Sequence, residues 1–327
     1  MAQEIITVFG GSGFLGRNVV RELAQAGYRI RVAVRKPNDA HFLQPLGGVG
    51  QISLQAVNVR DDASVTEALR GAHAAVNLVG ILHQHGKQRF QSLHAEGPAR
   101  IGRLAAEGGL KRVVHISAIG ADPRSPSRYA RTKAAGEKAL RDAFPEATIL
   151  RPSIVFGADD SFFNRFAAMA SMPPLVMPFL PLFGGGKTKF QPVHVDDVAD
   201  AVVTCLREPG TRGRIYELGG PEVLTFRQCM ELMLEVIERR RVLLPLPTFV
   251  ARLIAWFTTP VLGLFDAPII TPDQVRQLKI DNVVRPGGNE NIGTLQDLGI
   301  TPTSAEAILP TYLWRFRPGG QYADYHT

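Results

Sequence analysis

The sequence predicts an α/β fold in which a doubly wound parallel sheet is covered by helices on both faces. Three observations carry that prediction. Short apolar runs alternate with stretches of helical periodicity through residue 155. The runs are continuously apolar rather than alternating, as strands buried on both faces require. A glycine-rich turn joins the first strand to the first helix.

Ile5-Ile6-Thr7-Val8-Phe9 reads as the first strand. Leu15, Val19, Leu23 and Ala26 then recur at helical spacing, and Gly27 suits the helix end. Ile30 to Val34, Ile52 to Val59, Ala74 to Val79, Val113 to Ser117 and Ile149 to Ile154 follow as strands, most of them separated by helical stretches. After Phe156 the regularity fades. Pro173, Pro174, Pro178 and Pro181 mark a loop-rich stretch that Gly184-Gly185-Gly186 continues. Gln191 to Val195 returns to strand and Asp196 to Arg207 to helix. Thr225-Phe226-Arg227-Gln228 and Thr271-Pro272-Asp273-Gln274 have the spacing of capping boxes, the second with Pro at the first helical position. Pro310 to Thr327 reads as an aromatic loop lying along a surface. The expected organisation is a dinucleotide-binding domain over 1–157 and a smaller mixed C-terminal region of substrate-binding type over 158–327, with the sheet partly shared across 191–218.

Composition removes several classes. The chain has 327 residues, 45% of them apolar, which supports a sizeable core and excludes a disordered protein. Two cysteines, Cys205 and Cys229, cannot form a disulfide framework, and no Cys/His cluster has zinc spacing, so a reducing compartment is expected and no metal. The longest apolar run, Phe249 to Phe265, carries Arg252 and Pro260 and falls short of the roughly 20 residues that span a bilayer. Met1 to Thr7 runs straight into a strand without a signal or transit segment. Secreted and integral-membrane readings are therefore set aside.

The net charge of +7 is uneven. Residues 1–150 hold 20 of the 37 Lys+Arg and 12 of the 30 Asp+Glu, so the basic excess belongs to the N-terminal half. An anionic cofactor, an acidic protein or membrane partner, and nucleic acid compete to explain it. With no helix-turn-helix, zinc-finger or aromatic RNA-binding pattern, nucleic acid is set aside.

The strongest local signal is Val8-Phe9-Gly10-Gly11-Ser12-Gly13-Phe14-Leu15-Gly16, lying between a strand and a helix. Gly10 permits a tight turn, Gly13 lets the backbone approach a pyrophosphate, and Gly16 lets helix and strand pack closely. Ser12, Phe14 and Leu15 belong to the same turn, where the helix N-terminus offers free N–H groups to phosphates. This spacing makes the sheet Rossmann-type and predicts dinucleotide binding. At the end of the second strand stand Arg35 and Lys36, where an NAD site usually carries a carboxylate. Arg35 suits a 2′-phosphate, so NADPH is expected over NADH; the bland alternative is a solvated strand end. Asn58-Val59 is placed for the adenine edge, and Leu78-Val79-Gly80 for the ribose and nicotinamide side.

Tyr129 and Lys133 follow the fifth strand at i and i+4 and share one helix face. A nearby lysine cation is expected to lower the phenol's pKa and to reach a nicotinamide ribose, giving a tyrosine able to move a proton.

With that pair in place, the chain resembles the short-chain dehydrogenase/reductase superfamily in its extended or atypical branch. The resemblance spans the glycine loop, Tyr129/Lys133, Arg151-Pro152-Ser153-Ile154-Val155-Phe156-Gly157 and Val193-His194-Val195-Asp196-Asp197-Val198-Ala199. It implies that Pro152, Ser153, Ile154 and Val155 lie near the nicotinamide. One departure is informative. The family's catalytic Ser or Thr lies just past the first Ser of a Ser-Ser pair, whereas here Ser117 is followed by Ala118 and Ile119, neither of which can hydrogen-bond a carbonyl. Ser117, Tyr129 and Lys133 are the catalytic candidates of a triad that is either shifted or vestigial.

The runs Arg128-Tyr129-Ala130-Arg131-Thr132-Lys133-Ala134-Ala135-Gly136-Glu137 and Arg141 to Ala147, continuing to Phe162-Phe163-Asn164-Arg165-Phe166, are more closely similar to the NAD(P)H-binding accessory subunits of respiratory complex I, NADH:ubiquinone oxidoreductase. That resemblance implies a dinucleotide held for structure or regulation. It also implies other complex I subunits as partners and a peripheral place near the membrane arm. The location would be the cytoplasmic face of a bacterial inner membrane, or the mitochondrial matrix face for a trimmed chain. The basic surplus fits acidic neighbours or anionic lipid headgroups. Phe249 to Phe265, with Trp256 and Phe257, fits either a partner or the protein's own core. The alternative is an active NADP(H)-dependent reductase or epimerase using Tyr129 and Lys133. Gly184-Gly185-Gly186-Lys187-Thr188 lacks the first glycine of a P-loop, Pro181 standing there, and His83 and His85 lack a third metal ligand.

Overall fold

The computed structural model describes residues 4–247, 271–285 and 292–320. Phe249 to Phe265 lies outside the described residues. The chain divides into two compact units, the first made of Met1–Pro152, Val195–Leu218 and Arg285–Thr301, the second of Ser153–His194, Gly219–Val284 and Pro302–Thr327.

The first unit is an eight-stranded sheet flanked by helices. Its strands in chain order are β1 (Ile5–Phe9), β2 (Arg29–Val34), β3 (Ile52–Ala56), β4 (Ala74–Asn77), β5 (Arg112–Ile116), β6 (Thr148–Pro152), then Ile215–Leu218 and Ile292–Gly293. Across the sheet the order is Ile292–Gly293, Ile215–Leu218, β6, β5, β4, β1, β2, β3, and every pairing is parallel. The order reverses between β1 and β4, which opens a crevice beyond their C-terminal ends. The Rossmann-type expectation holds.

Residues on both faces are buried, as the continuous apolar runs require: Ile6 and Val8 on one side of β1, Thr7 and Phe9 on the other. The polar exception, Thr7, donates its hydroxyl to Ala68 O at 2.7 Å. One face carries a core of Phe9, Val65, Ile101, Val113, Leu140 and Ile149 among others. Its helices include α2 (Asp62–Leu69), α3 (Glu96–Glu107) and α4 (Arg128–Ala143). Opposite, α1 (Phe14–Gln25) buries Val19, Val20 and Leu23 and meets helix Val195–Arg207, where Arg21 donates to Asp196 Oδ1 at 2.6 Å.

Several strands are shorter than the apolar runs that announced them. β3 stops at Ala56 because Asn58 turns the chain, its Oδ1 accepting from Arg60 N at 3.2 Å. β4 stops at Asn77, whose Oδ1 takes the Val79 amide at 3.1 Å.

The second unit has an aromatic core in which Phe156, Phe163, Phe166, Phe190 and Phe226 are buried together. Phe166 and Phe226 lie 5.3 Å apart between centroids, one edge toward the other's face, an arrangement worth roughly 0.5–1.5 kcal/mol beyond burial. Both capping boxes form, at Thr225 with Gln228 and at Thr271 with Gln274. Three expectations are corrected. Pro181 lies in the strand Phe179–Phe183, paired in parallel with Val242–Leu246. Only Val193–His194 of the expected 191–195 strand is extended, because the helix already begins at Val195. Residues Ala305–Leu313 form a helix, so Pro310 is helical: burial of Leu309, Tyr312 and Leu313 outweighs the backbone bond that proline forfeits. Residues 321–327 lie outside the described residues.

Candidate functional site

β1 ends at Phe9, and Gly10 turns the chain with φ of +80°, its amide donating to Ala33 O at 3.1 Å. Gly13 is the N-cap of α1 with extended backbone, and no side chain caps that helix start. No side chain thus competes for its first-turn amides, which could serve a phosphate. Gly16 is buried, and a Cβ there would strike Gly10 O and stand 2.6 Å from Gly11 C. Gly13, by contrast, is exposed, and a Cβ there would meet only Gly10 O at 3.5 Å. The loop is thus packed on its inner side and open on its outer side.

The loop after β4 lies against this turn. Leu78 N donates to Phe9 O at 3.0 Å, and a Cβ on Gly10 would be 3.3 Å from Leu78 C and Val79 N. Two residues on, a Cβ on Gly80 would lie 3.5 Å from Lys133 Nζ and 3.9 Å from His94 Nε2. Gly10, Leu78, Val79, Gly80 and Lys133 therefore form one continuous lining.

α4 starts at Arg128, its N-cap Ser127 accepting from Ala130 N at 3.3 Å, and this sets Tyr129 and Lys133 on the inward face. Lys133 is buried and donates to Ile116 O at 3.1 Å, the last residue of β5. Ser117 follows, 3% exposed, its amide donating to Leu150 O at 2.7 Å while its Oγ has no hydrogen-bond partner among the described residues. An orphaned buried hydroxyl beside the lysine suits a bound polar group.

The electrostatics correct one expectation. Tyr129 is half-buried, and desolvation of its hydroxyl pushes the phenol up to about 12 rather than down. Lys133 Nζ sits 6.0 Å from the tyrosine ring centroid and is engaged with Ile116 O, too remote to reverse that. Burial holds Lys133 down at about 8, with Glu137 opposing. The phenol is thus a proton donor at neutral pH.

His94, absent from the sequence expectations, completes the lining. It lies in a single π turn, Gln91–Ala95, ahead of α3. Its Nε2 accepts from Ile81 N at 3.0 Å, and its ring stacks on Phe90 at 5.2 Å and meets Tyr129 edge-on at 5.2 Å. Gly136 permits this approach, since a Cβ there would strike His94 O. The signal was present: Phe90, Leu93, His94 and Gly97 stand at i, i+3, i+4 and i+7, a buried helix face.

His94 and the equally buried His115, whose Nδ1 is 3.1 Å from Asn77 Nδ2, are held neutral. Burial first and the Lys133 cation second push them down to about 2 and about 3. A base whose folded pKa lies below its unfolded value takes up a proton on unfolding. The protein should therefore lose stability as pH falls from about 6.5 toward 3, each histidine adding up to about 1.4 kcal/mol per pH unit. Thermal melts between pH 4.5 and 7 should steepen in this sense, and His94→Gln should remove about half of the histidine contribution. An unchanged slope in the variant would refute the assignment.

The remaining candidates stand on other elements. Arg35 and Lys36 are exposed just beyond β2, with Lys36 Nζ 3.9 Å from Asp39. Asn58 is exposed beyond the edge strand β3, and Val59 O accepts from Arg100 at 3.0 Å. Pro152 closes β6. Ser153, Ile154 and Val155 belong to the second unit, where Ser153 Oγ is 2.8 Å from Asn282 O and Val155 pairs with Val193.

Comparison with known proteins follows this geometry. The family described as "NAD dependent epimerase/dehydratase family" matches residues 6–219. The chain is 35% identical over 326 residues to the mitochondrial NADH dehydrogenase (ubiquinone) 1 alpha subcomplex subunit 9 of Arabidopsis thaliana, covering 97% of this chain and 79% of the relative. It is 30% identical to the mitochondrial NADH-ubiquinone oxidoreductase 40 kDa subunit of Neurospora crassa, covering 97% and 80%. Among solved structures, the NADPH-dependent quinone oxidoreductase QOR2 of Escherichia coli, complexed with NADPH, aligns with a TM-score of 0.70 at 21% identity, covering 94% of this chain and 98% of that one. At that identity the likeness establishes the fold alone.

Proposed function

The chain belongs to the NAD dependent epimerase/dehydratase family and is a homologue of the complex I subunit 9 and 40 kDa proteins, and from that premise we propose that it is an accessory subunit of respiratory complex I that binds NADPH without turning it over. The observation that carries the non-catalytic part is a complete cradle beside an incomplete proton relay. Gly10 to Gly16, Leu78 to Gly80 and Lys133 form the lining a dinucleotide needs. Yet Ala118 and Ile119 follow Ser117, and neither can hydrogen-bond a substrate carbonyl. In this reading the glycine turn holds the pyrophosphate, Lys133 a ribose, and Arg35 with Lys36 the 2′-phosphate. The subunit sits peripherally beside the membrane arm, where the bound nucleotide stabilises it. No helix among the described residues is long and apolar enough to cross a membrane.

The test is purification from membranes solubilised in mild detergent, with assay for NADH:quinone activity and extraction of the nucleotide. Co-migration with that activity and release of about one NADPH per chain are expected. Tyr129→Phe should leave assembly and bound nucleotide nearly intact. A second reading, an NADP(H)-dependent reductase or epimerase, draws on the retained Tyr129 and Lys133, with a bound nicotinamide supplying the hydride. A free soluble protein whose turnover disappears in Tyr129→Phe would establish it instead.

Arg35 separates the two nucleotides. Arg35→Ala should weaken NADPH by about 1.5–3 kcal/mol, tenfold or more, and leave NADH nearly unchanged. Equal affinity of the unmodified protein for both nucleotides would sink the preference.

A further inference from the structure

One corner of the second unit carries a protruding apolar turn ringed by arginines. Met172, Pro173, Pro174, Leu175 and Val176 are exposed in succession, Leu175 by 97% and Val176 by 65%. The turn is hydrogen-bonded rather than slack: the Val176 and Met177 amides donate to Pro173 O at 2.9 and 3.0 Å, and Met177 packs on the core behind it. Val242 pairs with Phe179 at the start of the parallel strand pair, which brings exposed Val242 to the same end. The run Arg239-Arg240-Arg241 immediately precedes Val242.

The cations are fixed there by helix ends. Arg241 Nη2 donates to Met172 O at 2.7 Å, Arg239 Nε to Phe316 O at 2.7 Å, and Arg317 Nε to Val236 O at 3.0 Å. The C-terminal ends of helices Phe163–Ser171, Phe226–Val236 and Ala305–Leu313 thus converge, their carbonyls favouring positive charge. Arg240 and Trp314 are exposed on the segments 238–241 and 314–317. Arg315 instead turns to the other end of helix Phe163–Ser171, its Nη2 donating to Ala158 O at 2.9 Å and Asn164 Oδ1 at 2.7 Å. Arg239, Arg240, Arg241 and Arg317 stand here with one acid beside them in sequence, Glu238, which Arg317 meets at 3.2 Å.

We propose that this corner is the surface on which the chain rests against an anionic lipid bilayer, with Leu175 and Val176 entering below the headgroups and the arginines binding lipid phosphates. An acidic protein would match the charge but has no use for an apolar turn standing clear of the surface. Two adjacent prolines also leave that turn with few N–H groups to desolvate, as entry into a low-dielectric layer requires. Trp314 at the rim fits the interfacial zone. The inference deepens the complex I reading, on which it rests only for a membrane being within reach.

The experiment uses the full chain carrying Leu175→Cys labelled with an environment-sensitive fluorophore. Cys205 and Cys229 are fully buried and stay unlabelled. Vesicles of phosphatidylcholine containing phosphatidylglycerol should shift the probe's emission to the blue. Phosphatidylcholine alone should do so far less, and added salt should weaken the response. In sedimentation, the double variant Leu175→Asp/Val176→Asp should bind the anionic vesicles about tenfold less or weaker with an unchanged melting temperature. An unmoved probe, or equal sedimentation of the double variant, overturns the proposal. A probe blind to vesicles yet shielded in the detergent-purified assembly also overturns it, in favour of a protein partner. Co-migration with NADH:quinone activity is read separately, so an unmoved probe in a co-migrating chain refutes this surface alone, and a responsive probe in a chain that does not co-migrate refutes the complex I reading alone.

Discussion

Gly16→Ala should destabilise the first unit by about 3 kcal/mol or more, and Gly13→Ala by less than about 1 kcal/mol. The two positions lie at the start of α1, Gly13 as its N-cap and Gly16 three residues on in its first turn, and differ in what a methyl would meet. At Gly16 it would strike the Gly10 carbonyl oxygen and press on Gly11 C and Cα at 2.6 Å, all backbone atoms of the turn leaving β1. Backbone yields less readily than a side-chain end, so α1 must lift from the sheet, and Val19, Val20 and Leu23 go with it. At Gly13 the methyl points outward into the crevice. Its cost there should appear in the ligand: dinucleotide affinity should fall tenfold or more while the melting temperature hardly moves. Thermal melts with and without nucleotide, together with a binding titration, separate the two effects. Gly16→Ala melting with the unmodified protein would overturn the packing argument. Gly13→Ala binding with full affinity would overturn the placement of the pyrophosphate.

That contrast marks what could be read from residues alone. The glycine spacing announced a turn, because close packing and open approach each require a missing side chain. Strand–helix alternation announced the sheet, because continuously apolar strands have no stable place except between two helical layers. Tyr129 and Lys133 were legible through the helical repeat, which fixes a shared face whatever surrounds it. The direction of the Tyr129 shift was not legible, because it depends on burial, and burial is set by Phe90 and His94 arriving from another helix. Pro310 misled for a related reason: as a local breaker it argued for a loop, and only the core around Leu309 and Leu313 outweighs it. Grouping Ser153 to Val155 with the nicotinamide rested on resemblance. The side chain of Ser153 is engaged by Asn282, 129 positions away, a partner no local pattern reveals.

The charges that hold α4 in place are equally invisible in sequence, and they carry the second large effect. Arg151→Met should cost about 3–5 kcal/mol. Arg151 on β6 grips Glu137 through two parallel bonds, Nε to Oε1 at 3.0 Å and Nη2 to Oε2 at 2.6 Å, and its Nη1 lies 3.7 Å from Glu217 Oε1. Glu217 in turn accepts from Arg285 N at 3.0 Å. The side chains are 14%, 6% and 6% exposed in the order Arg151, Glu137, Glu217, so water cannot take the arginine's place. A methionine fills its volume but leaves both buried carboxylates without their arginine partner. Adding Glu137→Gln to Arg151→Met should recover part of the loss by removing one of the stranded charges, although each change alone destabilises. Glu137 stands one turn beyond Lys133 on α4, so the triad also anchors the helix that presents Tyr129 and Lys133. Arg151→Met should accordingly weaken nucleotide binding even at temperatures where it remains folded. A variant with unaltered stability would mean that the ion pair contributes nothing to seating the helix.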